Sequence, residues 1–511
     1  LSLYKDLSVA MRQAHQINAR HNHLVLFAAI LGSGMVFLDG TVVNLAIPSL
    51  QSAFRSNFSA VQWVIEAYTL TLASLLLTGG ALGDRYGRRR TYVFGAALFA
   101  LSSIACGLSV NSVELIGARA IQGVGGALLV PGSLALITSA YPEDVRGRAI
   151  GTWSAFSAIT TAVGPVAGGW LIQHVSWRWI FFLNAPIAVA VWLLCLAMGE
   201  SHDDAGPRAM NWRGAALTII SMGSLTYALI EWPVDARHRL LVSLAVVGIA
   251  ALAGLLTLER KTVDPLIPAE VLHSRNFSGA NALTFLVYGP LSAMLFFIPL
   301  DLIQAQHYSA IVAGAAFSPF VVIMMIFSRS AGKLVERYGA RLPLTLGSLI
   351  VALGYILFSM LPQDGRYWTS FFPAVLVTSI GMTLVVSPLT TTIMNSAPRE
   401  HAGIASGINN AVSRLASLLA VAFFSALLLA VFVRRLDQQL ALLPIPPGEA
   451  AEVLASRFQL AAIKSTDPLV QRAVLASFIH AYKLVLWWMA ASLAGAAVIG
   501  YLFIDGQERE A

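Results

Sequence analysis

Charge is what this sequence has least of. Only 12% of its 511 residues are Asp, Glu, Lys or Arg, where a soluble domain carries roughly 25%. A chain so poor in charge cannot coat a globule with solvated side chains, which excludes a soluble enzyme, a disordered protein and a nucleic-acid-binding module. Cysteine is nearly absent: Cys106 and Cys195 lie far apart in apolar stretches, so there is no disulfide framework and both read as small packing residues. Histidine is missing from the middle of every apolar run, since all ten fall in loops or at run ends. That excludes a histidine proton relay and counts against a membrane acyltransferase. No Walker loop, zinc-protease helix or Ser-x-x-Lys dyad sits on a suitable scaffold, so the chain encodes no ATP-driven pump.

Apolar residues fill the gap. They make up 57% of the chain, and the mean hydropathy is +0.72. Lipid is therefore the expected solvent for most of the surface. A spanning helix needs about 20 mainly apolar residues, and fourteen runs qualify, near 24–47, 61–82, 91–110, 113–138, 148–173, 179–198, 214–232, 240–258, 277–303, 310–328, 342–361, 370–394, 402–432 and 480–504. They are too long and continuous for barrel strands, so the fold class is all-α and polytopic. The first run is too long for a signal-peptide core and lacks a small-residue cleavage site, which predicts an uncleaved first span.

Basic residues set the orientation. With the N-terminus inside, the inner segments carry 20 Lys and Arg and the short outer loops carry 5. Both termini are thus expected on the cytoplasmic side. The net charge of +7 fits anchoring at an anionic leaflet rather than nucleic acid.

The chain also repeats itself. Gly80-Ala-Leu-Gly-Asp84-Arg85-Tyr-Gly87 follows span 2, and Gly332-Lys-Leu-Val-Glu336-Arg337-Tyr-Gly339 follows span 10, 252 residues later. Pro142, Gly147, Ala149 and Gly151 return as Pro398, Gly403, Ala405 and Gly407 at an offset of 256. Duplicated halves are a transporter architecture. The expected organisation is an inner N-terminal segment 1–23, a six-helix bundle 24–198, a linker 199–276 with two extra spans, a second bundle 277–504 and an inner tail 505–511. The second bundle contains a long outer loop, 433–479. Thr466-Asp467-Pro468 in that loop reads as a helix start. The loop itself reads as a cap, or as the place where an outer accessory protein would dock.

The strongest local signal is the first repeat, extended by Arg88-Arg89-Arg90. Its glycines allow close approach of loop and helix ends, Asp84 supplies an acceptor, and the arginines can fork onto carboxylates or carbonyls. A breakable charge cluster at the inner rim is what a two-state gate needs. A solvated positive-inside loop would explain the arginines alone.

This segment resembles the inner-loop signature of the major facilitator superfamily. Further segments resemble the fourteen-helix drug:proton antiporters within it: Leu38-Asp39-Gly-Thr41-Val42-Val-Asn44-Leu-Ala-Ile-Pro48 in span 1, Gln62-Trp63-Val64 with Ala67-Tyr68 in span 2, and Arg119-Ala-Ile-Gln122-Gly123-Val-Gly125-Gly126 in span 4. Gly164-Pro165-Val-Ala-Gly168-Gly169 is similar to the antiporter motif of span 5, and Trp177-Arg178-Trp179 with Asn184 and Pro186 to the entry into span 6. Asn410-Ala-Val-Ser-Arg414-Leu covers the second half more thinly. Ala340 departs from the pattern where the repeat has a basic residue, and Glu66 and Asp301 where uncharged residues are usual.

Charges inside spans cost roughly 3 kcal/mol each on insertion scales, so they are expected to face a cavity or a partner. Asp39, just past the middle of span 1, is the first candidate for a proton carrier, with a structural helix–helix hydrogen bond as the alternative. Glu66 is a second carrier, a cavity acid that attracts cations, or an interfacial residue. Arg119 keeps its charge and either favours an ionised carboxylate or snorkels outward; the resemblance assigns it to proton coupling. Arg414 lies too deep to snorkel and is expected to line the cavity or pair with an acid. Asp301, Glu231 and Lys483 read as interfacial. Gly164-Pro165 is expected to break and kink span 5, with Gly168-Gly169 packing closely behind.

Together these features predict a proton-coupled exporter of amphipathic or cationic small molecules in the plasma membrane (the inner one where a bacterium has two). Its partners are substrate, protons and lipid, with no nucleic acid and no cofactor or metal beyond the proton gradient. An exporter of one endogenous lipid or metabolite is the alternative, and a membrane-embedded lipid-modifying enzyme a more distant one.

Overall fold

The computed structural model describes residues 2–200, 212–261, 274–362, 366–396 and 402–505. It is helical throughout, with no strand among the described residues. In hydrocarbon each backbone amide must be satisfied within its own segment, and a helix does that. Thirteen described helices are long and apolar enough to cross a bilayer, and one bent pair completes fourteen. In chain order these are α1 (Asn22–Phe54), α2 (Phe58–Leu76 with Thr78–Tyr86), α3 (Arg88–Leu108), α4 (Ser112–Ala140), α5 (Val145–His174), α6 (Trp179–Leu196) and α7 (Trp212–Glu231). They continue with α8 (His238–Leu258), α9 (Arg275–Ala305), α10 (Ala310–Ser328), α11 (Arg341–Ser359), α12 (Tyr367–Asn395), α13 (Gly407–Leu440) and α14 (Pro468–Phe503). Each expected span has its helix, and the protein is a multi-pass membrane protein. Large apolar side chains such as Phe94, Leu101 and Ile249 are more than half exposed, a surface only lipid can cover.

Helix ends follow local chemistry. Asn111 caps α4 by accepting from the Glu114 N–H at 2.9 Å, and Glu114 reaches back to the Val110 N–H at 3.1 Å. Asp467 caps α14 by accepting from the Leu469 N–H at 2.7 Å, with Pro468 in the first turn. That is the start read in Thr466-Asp467-Pro468.

Two expectations are corrected. First, α5 runs through Gly164-Pro165 without a break. The missing proline donor leaves one carbonyl to be satisfied otherwise, and neighbouring helices support the rest of the segment. The sharp bend, 52°, is in α2, beside Gly79-Gly80, where a Cβ on Gly79 would run into the Ala127 carbonyl of α4. A glycine pair under close helix contact is a recognised cause of a kink. Second, the segment between α13 and α14 is shorter than 433–479, because both helices extend past their apolar runs to Leu440 and from Pro468. Between them lie a helix, Pro447–Ala455, and a 3-10 turn, Arg457–Ala462. Val453, Leu460 and Ile463 of this segment are buried.

The contacts group the chain into two compact units. The first comprises Leu1–Val43, Ala67–Pro165 and His174–Ala215; the second comprises Asn44–Glu66, Val166–Gln173 and Ala216–Ala511. The division does not follow the repeat: the end of α1, the start of α2 and the end of α5 are counted with the second unit. Inside the first unit α1 and α5 are joined by Trp153 Nε1 donating to Ser33 Oγ at 2.8 Å. Inside the second, α9 and α13 are joined by Asn409 Nδ2 donating to Thr284 Oγ1 at 2.6 Å and by Ser292 donating to Ser417 at 2.6 Å. The same pair of helices is thus tied in each half of the duplication.

Candidate functional site: a buried charge cluster and an inner-rim loop

Asp39 is delivered by α1 and is 1% exposed; Arg119 and Gln122, one turn apart on α4, are 1% and 0% exposed. Arg119 Nη1 donates to Asp39 Oδ2 at 2.5 Å and to Gln122 Oε1 at 2.8 Å, and Gln122 Nε2 donates to Asp39 Oδ1 at 3.0 Å. Both carboxylate oxygens therefore have a donor. The guanidinium carbon stands 4.1 Å over the Tyr68 ring of α2 and 5.9 Å from that of Phe181 in α6, so an aromatic face replaces water on the open side of the cation. Arg119 does not snorkel. Residues 38 to 41 also carry the α5 contact: a Cβ on Gly164 would sit 2.6 Å from Thr41 Oγ1, so that position needs a residue without a side chain. Gly168 is buried, and Gly169 lies against the Ala310 backbone within the second unit.

The other expected site residues are placed as follows. Glu66 is 1% exposed, not interfacial; Gln62 hydrogen-bonds it one turn earlier, and its Oε1 has no hydrogen-bond partner among the described residues. Arg414 is half-buried in α13. Asp301 is 5% exposed in a π turn that ends α9, which overturns its interfacial reading: the helix extends past the apolar run and carries Asp301 in with it. Glu231, at the end of α7, accepts from Ser59 Oγ at 2.7 Å and Trp63 Nε1 at 3.0 Å on α2. Lys483 is half-buried in α14.

In the first copy of the repeated loop Arg88 pairs with Asp84 one turn earlier at 3.1 Å. Arg85 is exposed over its neighbour Tyr86. Gly87 has φ +103° at the start of α3, and Gly339 has φ +71° at the end of the helix Ser318–Tyr338. These are the two glycines with left-handed backbone among the described residues, and they are equivalent positions of the repeat. Their spacing explains why both copies need glycine: a side chain there is strained. Gly80 lies against Pro131 of α4 and Gly332 against Ser387 of α12, again as counterparts. Arg337 is exposed and stacks by Tyr338, while the Glu336 side chain lies outside the described residues.

One residue of this loop was not read from the sequence. Glu200, just past α6, accepts from the backbone N–H groups of Arg89 at 2.9 Å and Arg90 at 3.2 Å. Its carboxylate occupies the space a Cβ on Gly87 would take. An anion there satisfies free amides at the start of α3. The available signal was a lone acid at the inner end of span 6.

A family model, that of the Major Facilitator Superfamily, matches residues 29–421. The chain belongs to the Major Facilitator Superfamily. It is 33% identical over 422 residues to the multidrug resistance protein Stp of Mycobacterium tuberculosis, covering 82% of this chain and 78% of that one. It is 35% identical over 406 residues to the methylenomycin A resistance protein of Bacillus subtilis, covering 78% and 86%. Among solved structures it is similar to a bacterial homologue of the human lysosomal transporter Spinster, with a TM-score of 0.66 at 17% identity over 96% of this chain and 99% of that one. The Escherichia coli xylose transporter XylE gives 0.59 at 15% identity, over 96% and 98%. At such identities the likeness is one of fold. The fourteen-helix major facilitator fold, expected from the spans and the motifs, is the fold of this chain. As a member of the superfamily it is a transporter.

Proposed function

We propose that this transporter is an exporter of amphipathic or cationic small molecules, driven by protons moving inward as the protein alternates its access. One observation carries the reading: a fully buried Asp39–Arg119–Gln122 cluster, in a chain whose relatives are named for resistance to drugs and antibiotics. Charges so placed are costly unless used.

The two acids are assigned different roles. Asp39 is held by two donors, and neutralising it would remove the anion to which Arg119 donates. Glu66 keeps one oxygen free among the described residues, so it takes up the proton at lower cost, and in its ionised state it attracts a cationic substrate. Arg414 serves the half-buried face of α13. Asp84, Arg85 and Arg88 serve as the inner gate of the first half, Glu336 and Arg337 as its counterpart in the second, and Gly164 to Gly169 keep α5 able to pack closely. Each proton that crosses with the field contributes about 2.3 kcal/mol per 100 mV, and no cofactor is needed. The basic inner loops support a plasma-membrane location with both termini cytoplasmic.

The test is transport by the purified protein in liposomes. Under an imposed pH gradient it should expel ethidium or tetraphenylphosphonium, with counterflow of protons read by a pH-sensitive dye. Dye gradients that respond to neither the protein nor the pH gradient across a panel of amphiphiles would overturn the reading.

A further inference from the structure

The second unit holds a buried acid that this mechanism does not use. Asp301 opens the π turn Asp301–Ala305 at the outer end of α9 and is 5% exposed. Gln306 Nε2 donates to its Oδ2 at 2.6 Å. It has no ion-pair partner among the described residues. Asp39, by contrast, is held by a guanidinium. A carboxylate left in the interior with one amide donor is expensive to keep charged.

The turn packs against α9 itself, Ala310–Ala316, α14, the 3-10 turn Arg457–Ala462 and, through Gln304, α1. Tyr482 of α14 lies within electrostatic reach of Asp301, and Tyr355 of α11 within reach of the same tyrosine. Both rings are buried, and the Tyr355 hydroxyl has no hydrogen-bond partner among the described residues. His480 and Lys483 flank Tyr482 in α14. Ala310–Ala316 contains no titratable side chain. The 3-10 turn contains one, Arg457, whose guanidinium lies 5.0 Å over the Phe458 ring. His307, just beyond the turn, is exposed and has φ +56°.

The same π turn also makes an outer-end contact. Gln304 Nε2 donates to Gln51 Oε1 of α1 at 2.7 Å, and Gln51 Nε2 donates to the Gln459 carbonyl at 3.5 Å. Next to Gln459, Leu460 is fully buried with φ +57° and ψ −133°, a backbone that persists only where packing enforces it. One five-residue turn therefore carries a buried acid on one side and, on the other, the amide that links α1 to the outer cap. π turns recur at functional sites.

We propose that Asp301 is a second proton-binding site, and that its occupancy sets the outer contact made by Gln304, Gln51 and Gln459. The proton comes from the outer water and binds a carboxylate oxygen. That oxygen gains an O–H donor, and the Tyr482 hydroxyl is an acceptor in its surroundings. The turn adjusts, and Gln304 moves with it. The coupling to transport rests on the proton-driven reading above; the protonation itself does not.

Infrared titration of the purified protein tests the site without any substrate. As the pH falls from alkaline to acid, a protonated-carboxyl band assigned to Asp301 should grow in the Glu66→Gln background. It should be lost in Glu66→Gln/Asp301→Asn and return, shifted, in Glu66→Gln/Asp301→Glu. In parallel, Gln51→Cys/Gln304→Cys should cross-link in a pH-dependent manner, and Asp301→Asn should flatten that dependence. Identical titrations with and without Asp301, or a cross-linking profile indifferent to Asp301→Asn, overturn the proposal. If wild-type protein exports no amphiphile but the Asp301 band and profile persist, the site stands and the exporter reading falls. Proton-driven export without an Asp301-dependent band sinks this inference alone.

Discussion

At the scale of single residues the first unit contains a cation and an anion that each depend on the other. Removing one partner of a buried pair costs about 3–5 kcal/mol, because the remaining charge is left without compensation. Asp39→Asn should therefore lower the melting temperature in detergent as well as abolish proton-driven export. Asp39→Asn/Arg119→Gln should recover most of the stability and none of the transport. A single variant as stable as wild type would mean that Arg119 finds other compensation. Glu66→Gln is expected to behave in the opposite way. Its free oxygen gives up no bond among the described residues, so stability should change by no more than about 1 kcal/mol while the pH gradient ceases to drive efflux. If this variant keeps full coupling in liposomes, the proton belongs to Asp39.

At the scale of elements the repeated inner loop shows how two half-molecules use one solution. Gly87 and Gly339 turn the chain through the left-handed region at equivalent positions. In the first copy Glu200 then fills the space beside the glycine and caps α3. A left-handed alanine costs roughly 1–2 kcal/mol, so Gly339→Ala should lose about that in a thermal melt. Gly87→Ala should lose more, since its Cβ would meet the Glu200 carboxylate at 2.7 Å. Equal losses at the two sites would mean that Glu200 yields freely. The repeat itself was legible from letters alone, because identical turns need identical residues. Glu200 was not: it lies 111 residues from Arg89, and no local pattern links them. The α2 bend escaped for a related reason, since Gly79-Gly80 permits a kink but the close approach of Ala127 to Gly79 appears only in the folded chain.

At the scale of the whole molecule the topology is open to a direct test. Leu442 is 82% exposed between α13 and α14, and the Arg90 side chain is 79% exposed at the inner rim. Both native cysteines are buried. A membrane-impermeant maleimide added to intact cells should label Leu442→Cys and leave Arg90→Cys unlabelled until the cells are opened. The reverse pattern would invert the orientation drawn from the basic loops.

Hydropathy and the 252-residue echo were sufficient for the number of spans and the duplication, because a bilayer rewards long apolar runs wherever they fold, and the resemblance of six motifs in order was sufficient for the superfamily. They also picked out Asp39, Glu66 and Arg119, because charge in oil is conspicuous in any sequence. Which charges meet was decided only in three dimensions. Asp39 and Arg119 are 80 residues apart, and helix packing alone brings them to a hydrogen bond. Asp301 looked interfacial because its apolar run ends beside it, and it became a buried acid when α9 continued and closed the turn beneath it. Pairing and burial are properties of neighbours, and the folded chain selects those neighbours.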